Sequence, residues 1–370
     1  MKINTEKPYR IFAEVLEQGA LDQFESAMNQ PSAVRGALMP DSHFGYSLPI
    51  GAVVATEGVV FPAWVGYDIG CGMCAVPTTF NASEVRENGK AIFDAIYRAV
   101  PVGFSHNQKP VAWLYGESLE RTVRTDEIFA KNGLLQLGTL GGGNHFAEVG
   151  EDASGVVWVV IHSGSRGIGH AVASHYMRLA SGTDKAKEGH FGFDVDSENG
   201  KDYIKDLHFC LEFALENRKT IIDRLCGAIG GIIQGDQKSD ALINRNHNHA
   251  ELRDGLWIHR KGATHAENGM MGVIPGNMRD GSFVVRGKGN PESLFSSSHG
   301  AGRVLGRKEA QRTLTMEQFS GAMGGIVARV DLDTLDESPF AYKDIFKVME
   351  QQADLVEIVA HVRPLVNIKG

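Results

Sequence analysis

Glycine punctuation limits what this chain can fold into more than any other feature. Glycine supplies 44 of the 370 residues, about 12% against a usual ~7%, and the glycines gather at the ends of short apolar runs. That pattern marks loops shaped around a ligand. The runs Gly51–Thr56, Val156–His162 and Ser282–Arg286 are β-branched or apolar and read as strands. Between them lie helical patterns. The clearest covers about Asp202–Ala228, where Ile204, Leu207, Leu211, Leu215, Ile222 and Leu225 recur at helical steps. Further helices are expected over Ser83–Val100, Glu117–Lys131, His170–Ala180 and Lys343–His361. Helices mixed with irregularly spaced strands favour an α+β class, a mixed α/β sandwich, over a strictly alternating doubly wound sheet. The length allows one domain or two. No internal repeat or linker stands out, and the polar stretch Gly182–Lys201 reads as an excursion, so a single catalytic domain over residues 1–370 is expected.

Hydrophobic residues make up 42% and charged residues 22% of the chain, which excludes general disorder. A formal charge of −8 means that a nucleic acid partner must be met by a local basic patch. The best such stretch runs from Arg279 to Arg312, with Arg286, Lys288, Arg303, Arg307 and Lys308 between. An ordinary solvated surface is the alternative. Cys71, Cys74, Cys210 and Cys226 are too few and too uneven for a disulfide framework, which suggests a reducing compartment. The N-terminus lacks the apolar core of a signal peptide, and no apolar run reaches the roughly 20 residues of a membrane span. A cytoplasmic location is expected.

Several segments carry chemistry. Asp68-Ile69-Gly70-Cys71 places a carboxylate and a thiol three residues apart across glycine, so both can share a metal; Cys71-x-x-Cys74 offers a rival reading as half a zinc site or a redox pair. In Gly141-Gly142-Gly143-Asn144-His145-Phe146-Ala147-Glu148, consecutive glycines let backbone N–H groups approach phosphate closely. His162 ends a strand before a Gly/Ser-rich turn. His247 opens a third site, so Asp68, Cys71, His145, His162 and His247 form a suitable chemical set for two metals, with the thiolate able to bridge both. His299, in Ser298-His299-Gly300-Ala301-Gly302-Arg303, is approachable and suits attack on phosphorus, with Arg303 one helical turn away. His259 is a competitor that spacing does not separate from it.

Taken together, these motifs resemble the RtcB family of GTP-dependent RNA ligases. The likeness runs from Met39-Pro40-Asp41-Ser42-His43 to Arg363-Pro364-Leu365-Val366-Asn367-Ile368-Lys369-Gly370. It implies that Asp68, Cys71 and His145 hold a first manganese ion and Cys71, His162 and His247 a second. It also implies GTP contacts at Asn144, His145, Phe146, Ala147, Glu148, His247, Asn248, Pro275, Gly276, Asn277, Met278, Ser282, His299, Gly300, Ala301, Gly302 and Lys369. The guanylylated histidine falls on His299, which leaves His259 a supporting role. The implied reaction joins RNA 3′-phosphate or 2′,3′-cyclic phosphate ends to 5′-hydroxyl ends, in RNA repair or tRNA splicing.

Tyr46-Ser47 stand where many members have Lys-Gly, Asn277 where Ser is frequent and His265 where Arg is common. The chain is also shorter than many members, as a repair-type paralogue would be. Two other functions use similar parts: a metal-dependent phosphodiesterase or phosphatase that forms no covalent nucleotide, and a non-catalytic RNA-binding factor.

Overall fold

The computed structural model describes residues 1–370 and is an α+β fold. Two sheets form its middle. The smaller runs Tyr9–Ile11, Ala33–His43, Ile50–Thr56, Leu256–Lys261, Asn248–Arg253, antiparallel after its first pair. The larger runs Met271–Pro275, Ser282–Gly287, Val356–Lys369, Phe146–Glu151, Val157–Ser163, Gly72–Pro77, Ile243–Asn246, with Val327–Ala328 pairing beside Val356–Lys369.

Strand alternation sorts the core. Cys74 and Val76 enter one apolar cluster and Met73 and Ala75 another, as the period of two requires. Ala37, Met39, Val53 and Ala55 of the smaller sheet share a cluster with Ile274, Phe283 and Val285 of the larger. Helices close the outer faces. Phe24, Ala27 and Met28 of Gln18–Met28 cover Leu38, Ala52 and Val54. On the opposite side lies the 33-residue helix Glu198–Gly230, roughly 50 Å long at 1.5 Å per residue. Ser197 caps it by accepting the Gly200 N–H. Its Ile221, Ile222, Leu225 and Ile229 bury fully against the larger sheet, stabilising the layer by roughly 6–12 kcal/mol in transfer terms.

The strand expectations and the long helix agree with the structure to within a few residues. Three helical expectations need correction. Ser83–Val100 is two helices, Ala82–Glu87 and Gly89–Ala99, because the chain breaks at Asn88. Glu117–Lys131 is Leu114–Ser118 and Val123–Gln136, the second started by Thr122, whose hydroxyl accepts the Thr125 N–H while its own N–H is held by Asp206. Lys343–His361 is helical only over Ile345–Gln351; from Val356 the β-branched residues form the long strand to Lys369. No helix is long and apolar enough to cross a membrane. All four cysteines are free and buried.

Candidate active site

Strand register brings the site together. Gly72 pairs with Ser163 and with Asn246, and Phe146 pairs with His162. Cys71, His145, His162 and His247 therefore sit side by side at one end of four adjacent strands. Cys71 Sγ lies 3.4 Å from His145 Nε2 and 3.2 Å from His162 Nε2. His145 Nε2 is 3.0 Å from Asp68 Oδ2, and His162 Nε2 is 3.3 Å from His247 Nε2. Two donor triads result, Asp68/Cys71/His145 and Cys71/His162/His247, sharing the thiol.

The ring orientations fit cations. His145 Nδ1 meets the Leu140 carbonyl at 3.0 Å and His162 Nδ1 meets that of Asn144 at 3.1 Å. A carbonyl only accepts, so each Nδ1 carries the proton and each Nε2 lone pair points at the cluster centre. Burial keeps His162 and His247 well below the usual imidazole pKa, hence neutral. Burial would raise Asp68, but with no cation present a proton on the facing His145 Nε2 brings it to about 2, and a metal ion at the cluster centre would take that proton's place. Burial, reinforced by Asp68, pushes the Cys71 thiol far up, so the thiolate needs a positive partner. Donor separations of 3.0–3.4 Å match the edges of a coordination shell with bonds of roughly 2.0–2.3 Å.

The cluster rests on two polar residues of the long helix. Arg218, fully buried, donates to the carbonyls of Gly70 (2.7 Å) and Ser163 (2.9 Å) and to the side chains of Asn244 (2.7 Å) and Asn246 (2.6 Å). Asn217 accepts the N–H groups of Gly138 and Thr139 and donates to the Gly164 carbonyl. At Gly164 a Cβ would lie 2.3 Å from Asp68 Oδ1, so only glycine admits the carboxylate there. Cys74 points the other way into the apolar core with its thiol pushed up to about 12 by burial. The half-zinc and redox readings of Cys71-x-x-Cys74 therefore fail.

His299 enters from the second side. The strand Ser296–Ser298 pairs with Ala263–His265 and delivers it beside the cluster, its ring centre 4.8 Å from that of His247. Asp41 Oδ2 lies 2.6 Å from His299 Nδ1 and also accepts the N–H groups of His299 and Gly300. Burial alone would raise the Asp41 pKa, but the charge and hydrogen bond of His299 outweigh it and hold the carboxyl below its usual range. Asp41 thus fixes the proton on Nδ1 and leaves Nε2 free. His259 is elsewhere: fully buried, it accepts the Phe61 N–H at 3.0 Å and packs against Phe61 and Trp64. The structure separates the two histidines that spacing does not.

A cleft with a cavity volume of about 250 Å³ opens on His299. Asn144, Phe146, Glu148, His162, Pro275, Gly276, Asn277, Met278, Gly300, Ala301, Gly302 and Lys369 line it. Five nucleotide-contact expectations lie outside that wall. Ala147 is on the opposite strand face, in the core. Ser282 sits behind Glu148 and donates to it at 3.2 Å. His145 and His247 belong to the donor cluster, and Asn248 bridges the Asp68 carbonyl and the Gly262 N–H.

The sequence reading gave no role to Asp41, His43, Asn367, Glu337, Asn217 or Arg218. Asp41 lay within a quoted motif, and Arg218 falls seven residues after Leu211 and seven before Leu225, on the apolar stripe. Burial raises Glu148 to about 8, opposed by hydrogen bonds from Ser282 and Asn367. Glu337 takes Lys369 at 2.6 Å, Arg307 at 2.6 Å and Arg303 at 3.2 Å, three residues of the cleft wall. Arg303 lines the same cleft as His299 and pairs with Glu337, but no helix joins the two residues. Arg279 and Arg286 are likewise engaged, with Asp280 and Glu357, so the stretch from Arg279 to Arg312 is not a continuous basic strip. The remaining donor group, His249, Glu251 and His265, holds the Arg260 guanidinium, which pairs with Glu251 and meets His249 at 3.1 Å.

An imidazole oriented by a carboxylate, two donor triads that could hold metal ions and a polar cleft beside them fit a metal-dependent enzyme. The family model described as tRNA-splicing ligase RtcB matches residues 23–131 and 117–370. RNA-splicing ligase RtcB1 of Escherichia coli strain ATCC 25922 is 37% identical, with 90% of each chain covered. RNA-splicing ligase RtcB of Escherichia coli K12 is 36% identical at the same coverage. tRNA-splicing ligase RtcB of Pyrobaculum aerophilum is 30% identical over 98% of this chain and 95% of its own. This chain belongs to the RtcB family of RNA ligases.

Proposed function

We propose that this protein is a GTP- and manganese-dependent ligase that joins RNA 3′-phosphate or 2′,3′-cyclic phosphate ends to 5′-hydroxyl ends through a guanylyl group on His299, in RNA repair or tRNA splicing. The observation that carries this reading is the placement of His299. Asp41 holds its Nδ1 proton at 2.6 Å, and its ring adjoins the donor cluster at the cleft floor. We take residues 1–370 as one catalytic domain because the site draws on both Asp41 and Lys369.

Two manganese ions, held by Asp68/Cys71/His145 and Cys71/His162/His247, would neutralise the triphosphate and the charge that develops on its oxygens. His299 Nε2 attacks the α-phosphorus of GTP; the P–N bond forms, the bond to the bridging oxygen breaks and pyrophosphate leaves. Asp41 keeps the Nδ1 proton and stabilises the charge that the ring acquires. An RNA 3′-phosphate oxygen then attacks the same phosphorus and frees His299. The 5′-hydroxyl oxygen next attacks the activated 3′-phosphate, losing its proton to solvent and expelling GMP. A cyclic phosphate is first hydrolysed to the 3′-phosphate.

Glu148 supports guanine over adenine. Its carboxylate lines the cleft and can accept from the N1–H and N2–H pair that guanine offers and adenine lacks. Incubation with α-labelled GTP and manganese, followed by denaturation, tests the reading. Label should stay with the chain, vanish in His299→Ala and fail to transfer from ATP. A chain that hydrolyses phosphodiesters without retaining label is a hydrolase instead.

A further inference from the structure

The loop 44–49 joins Ala33–His43 to Ile50–Thr56, and the residues flanking it, His43 and Ile50, line the cleft beside His299. It presents Tyr46 with 76% of its surface exposed. The loop backbone is tied down: Gln23 donates to the carbonyls of Gly45 at 3.0 Å and Tyr46 at 2.7 Å and accepts the Gly45 N–H at 3.0 Å. Ser47 is fixed to the Ala63 carbonyl. An aromatic ring left in water on a fixed backbone is ready to receive a flat partner at little cost in ordering.

Its surroundings say what kind of partner. The Lys261 ammonium lies 6.0 Å from the Tyr46 ring centre. The next residue, Gly262, has φ +63 and leaves so little room that a Cβ there would lie 3.0 Å from the His299 ring. Tyr67, the neighbour of Asp68 in sequence, stacks on the exposed His170 at 5.0 Å and 20°. An exposed aromatic ring over a buried lysine that donates to the Ala63 carbonyl, on a loop whose flanking residues line the cleft, is the core of a single-strand stacking platform.

We propose that Tyr46 stacks on a nucleobase of the unpaired RNA end entering the cleft, with Lys261 supplying positive charge beside it. This inference rests on the ligase reading. Because every base has a π-face, such a platform selects unpaired ends rather than a sequence.

The test uses the full manganese-loaded chain and two short single-stranded RNAs, one with 2-aminopurine beside a 3′-phosphate and one with it beside a 5′-hydroxyl. The wild-type chain should quench the fluorescence of at least one, which names the strand that uses the platform. Tyr46→Ala should lose most of that quenching and raise KM for that RNA about 5- to 100-fold, the loss of one base–aromatic stack, with a smaller change in kcat. Tyr46→Phe should restore both. No quenching by the wild-type chain, or equal quenching and KM in Tyr46→Ala, overturns the inference. GTP labelling of the wild-type chain reads the ligase assignment by itself, so the two failures are distinguishable.

Discussion

Asp41 and His299 stand 258 residues apart in the chain and meet at 2.6 Å, carboxylate oxygen to Nδ1. The contact decides which imidazole nitrogen is free. In Asp41→Asn the amide still fills the space but offers no charge and allows the other tautomer. Guanylylation measured in a single turnover should fall by roughly 10²–10⁴-fold, while the fold, followed by circular dichroism, stays intact. An Asn variant that labels at the wild-type rate would show that Asp41 does not orient the nucleophile.

His259→Ala should act on stability instead. The histidine fills a core position between Phe61 and Trp64 and accepts a backbone N–H. Its loss leaves a cavity and an unpaired donor, at a cost of about 2–4 kcal/mol. Urea unfolding reads that cost directly, and the fraction that remains folded should still take label from GTP.

Metal stoichiometry checks the shared thiol. Cys71 belongs to both donor triads, His247 to one. Cys71→Ala should bind close to no manganese after gel filtration, whereas His247→Ala should keep one ion per chain, by elemental analysis. Retention of two ions by Cys71→Ala would exclude a bridging role.

Arg218 should matter far beyond its own position. Its four hydrogen bonds reach two backbone carbonyls and two asparagines around the donor strands. Arg218→Met leaves those acceptors buried and unpaired, which costs about 3–5 kcal/mol. Manganese affinity should drop about 10- to 100-fold, as is usual when groups behind the ligands are removed. Lysine should rescue little, since one ammonium cannot reach four diverging acceptors. Unfolding midpoints and manganese titrations of the three chains provide the comparison.

Local pattern made the strands around Gly51–Thr56 and Val156–His162 and the long helix readable, because each holds one period over its length. The donor set was readable for a related reason: Cys71, His145, His162 and His247 all sit at strand ends beside glycines or polar turns. Pairing was not readable, since register is set by contacts between distant strands. Hence Asp41 gained its role only when Ala33–His43 met Ser296–Ser298. The helix expected over Lys343–His361 failed for a similar reason: a helical period over Ile345, Val348 and Met349 runs straight into the β-branched Val356, Ile358 and Val359. Arg218 carried a signal of its own, a cation in phase with an apolar stripe, and such a residue is buried only when it has partners to hold.

Glu148 gives the site a pH dependence whose direction follows from its environment. Burial holds the carboxyl up at about 8 against hydrogen bonds from Ser282 and Asn367, so below that pH the empty cleft contains the neutral acid. Acceptance of the guanine N1–H and N2–H favours the carboxylate, and binding must then release a proton. GTP affinity should therefore rise with pH up to about 8 and level off above it. Stability changes in the opposite sense: the unfolded chain ionises this glutamate near its ordinary pKa, so the contribution of Glu148 to folding falls as pH climbs from that range towards 8. Glu148→Gln should flatten both profiles and weaken discrimination between GTP and ATP. Isothermal titration in buffers of different ionisation enthalpy measures the released proton, and a pH-independent affinity in the wild-type chain would remove Glu148 from guanine recognition.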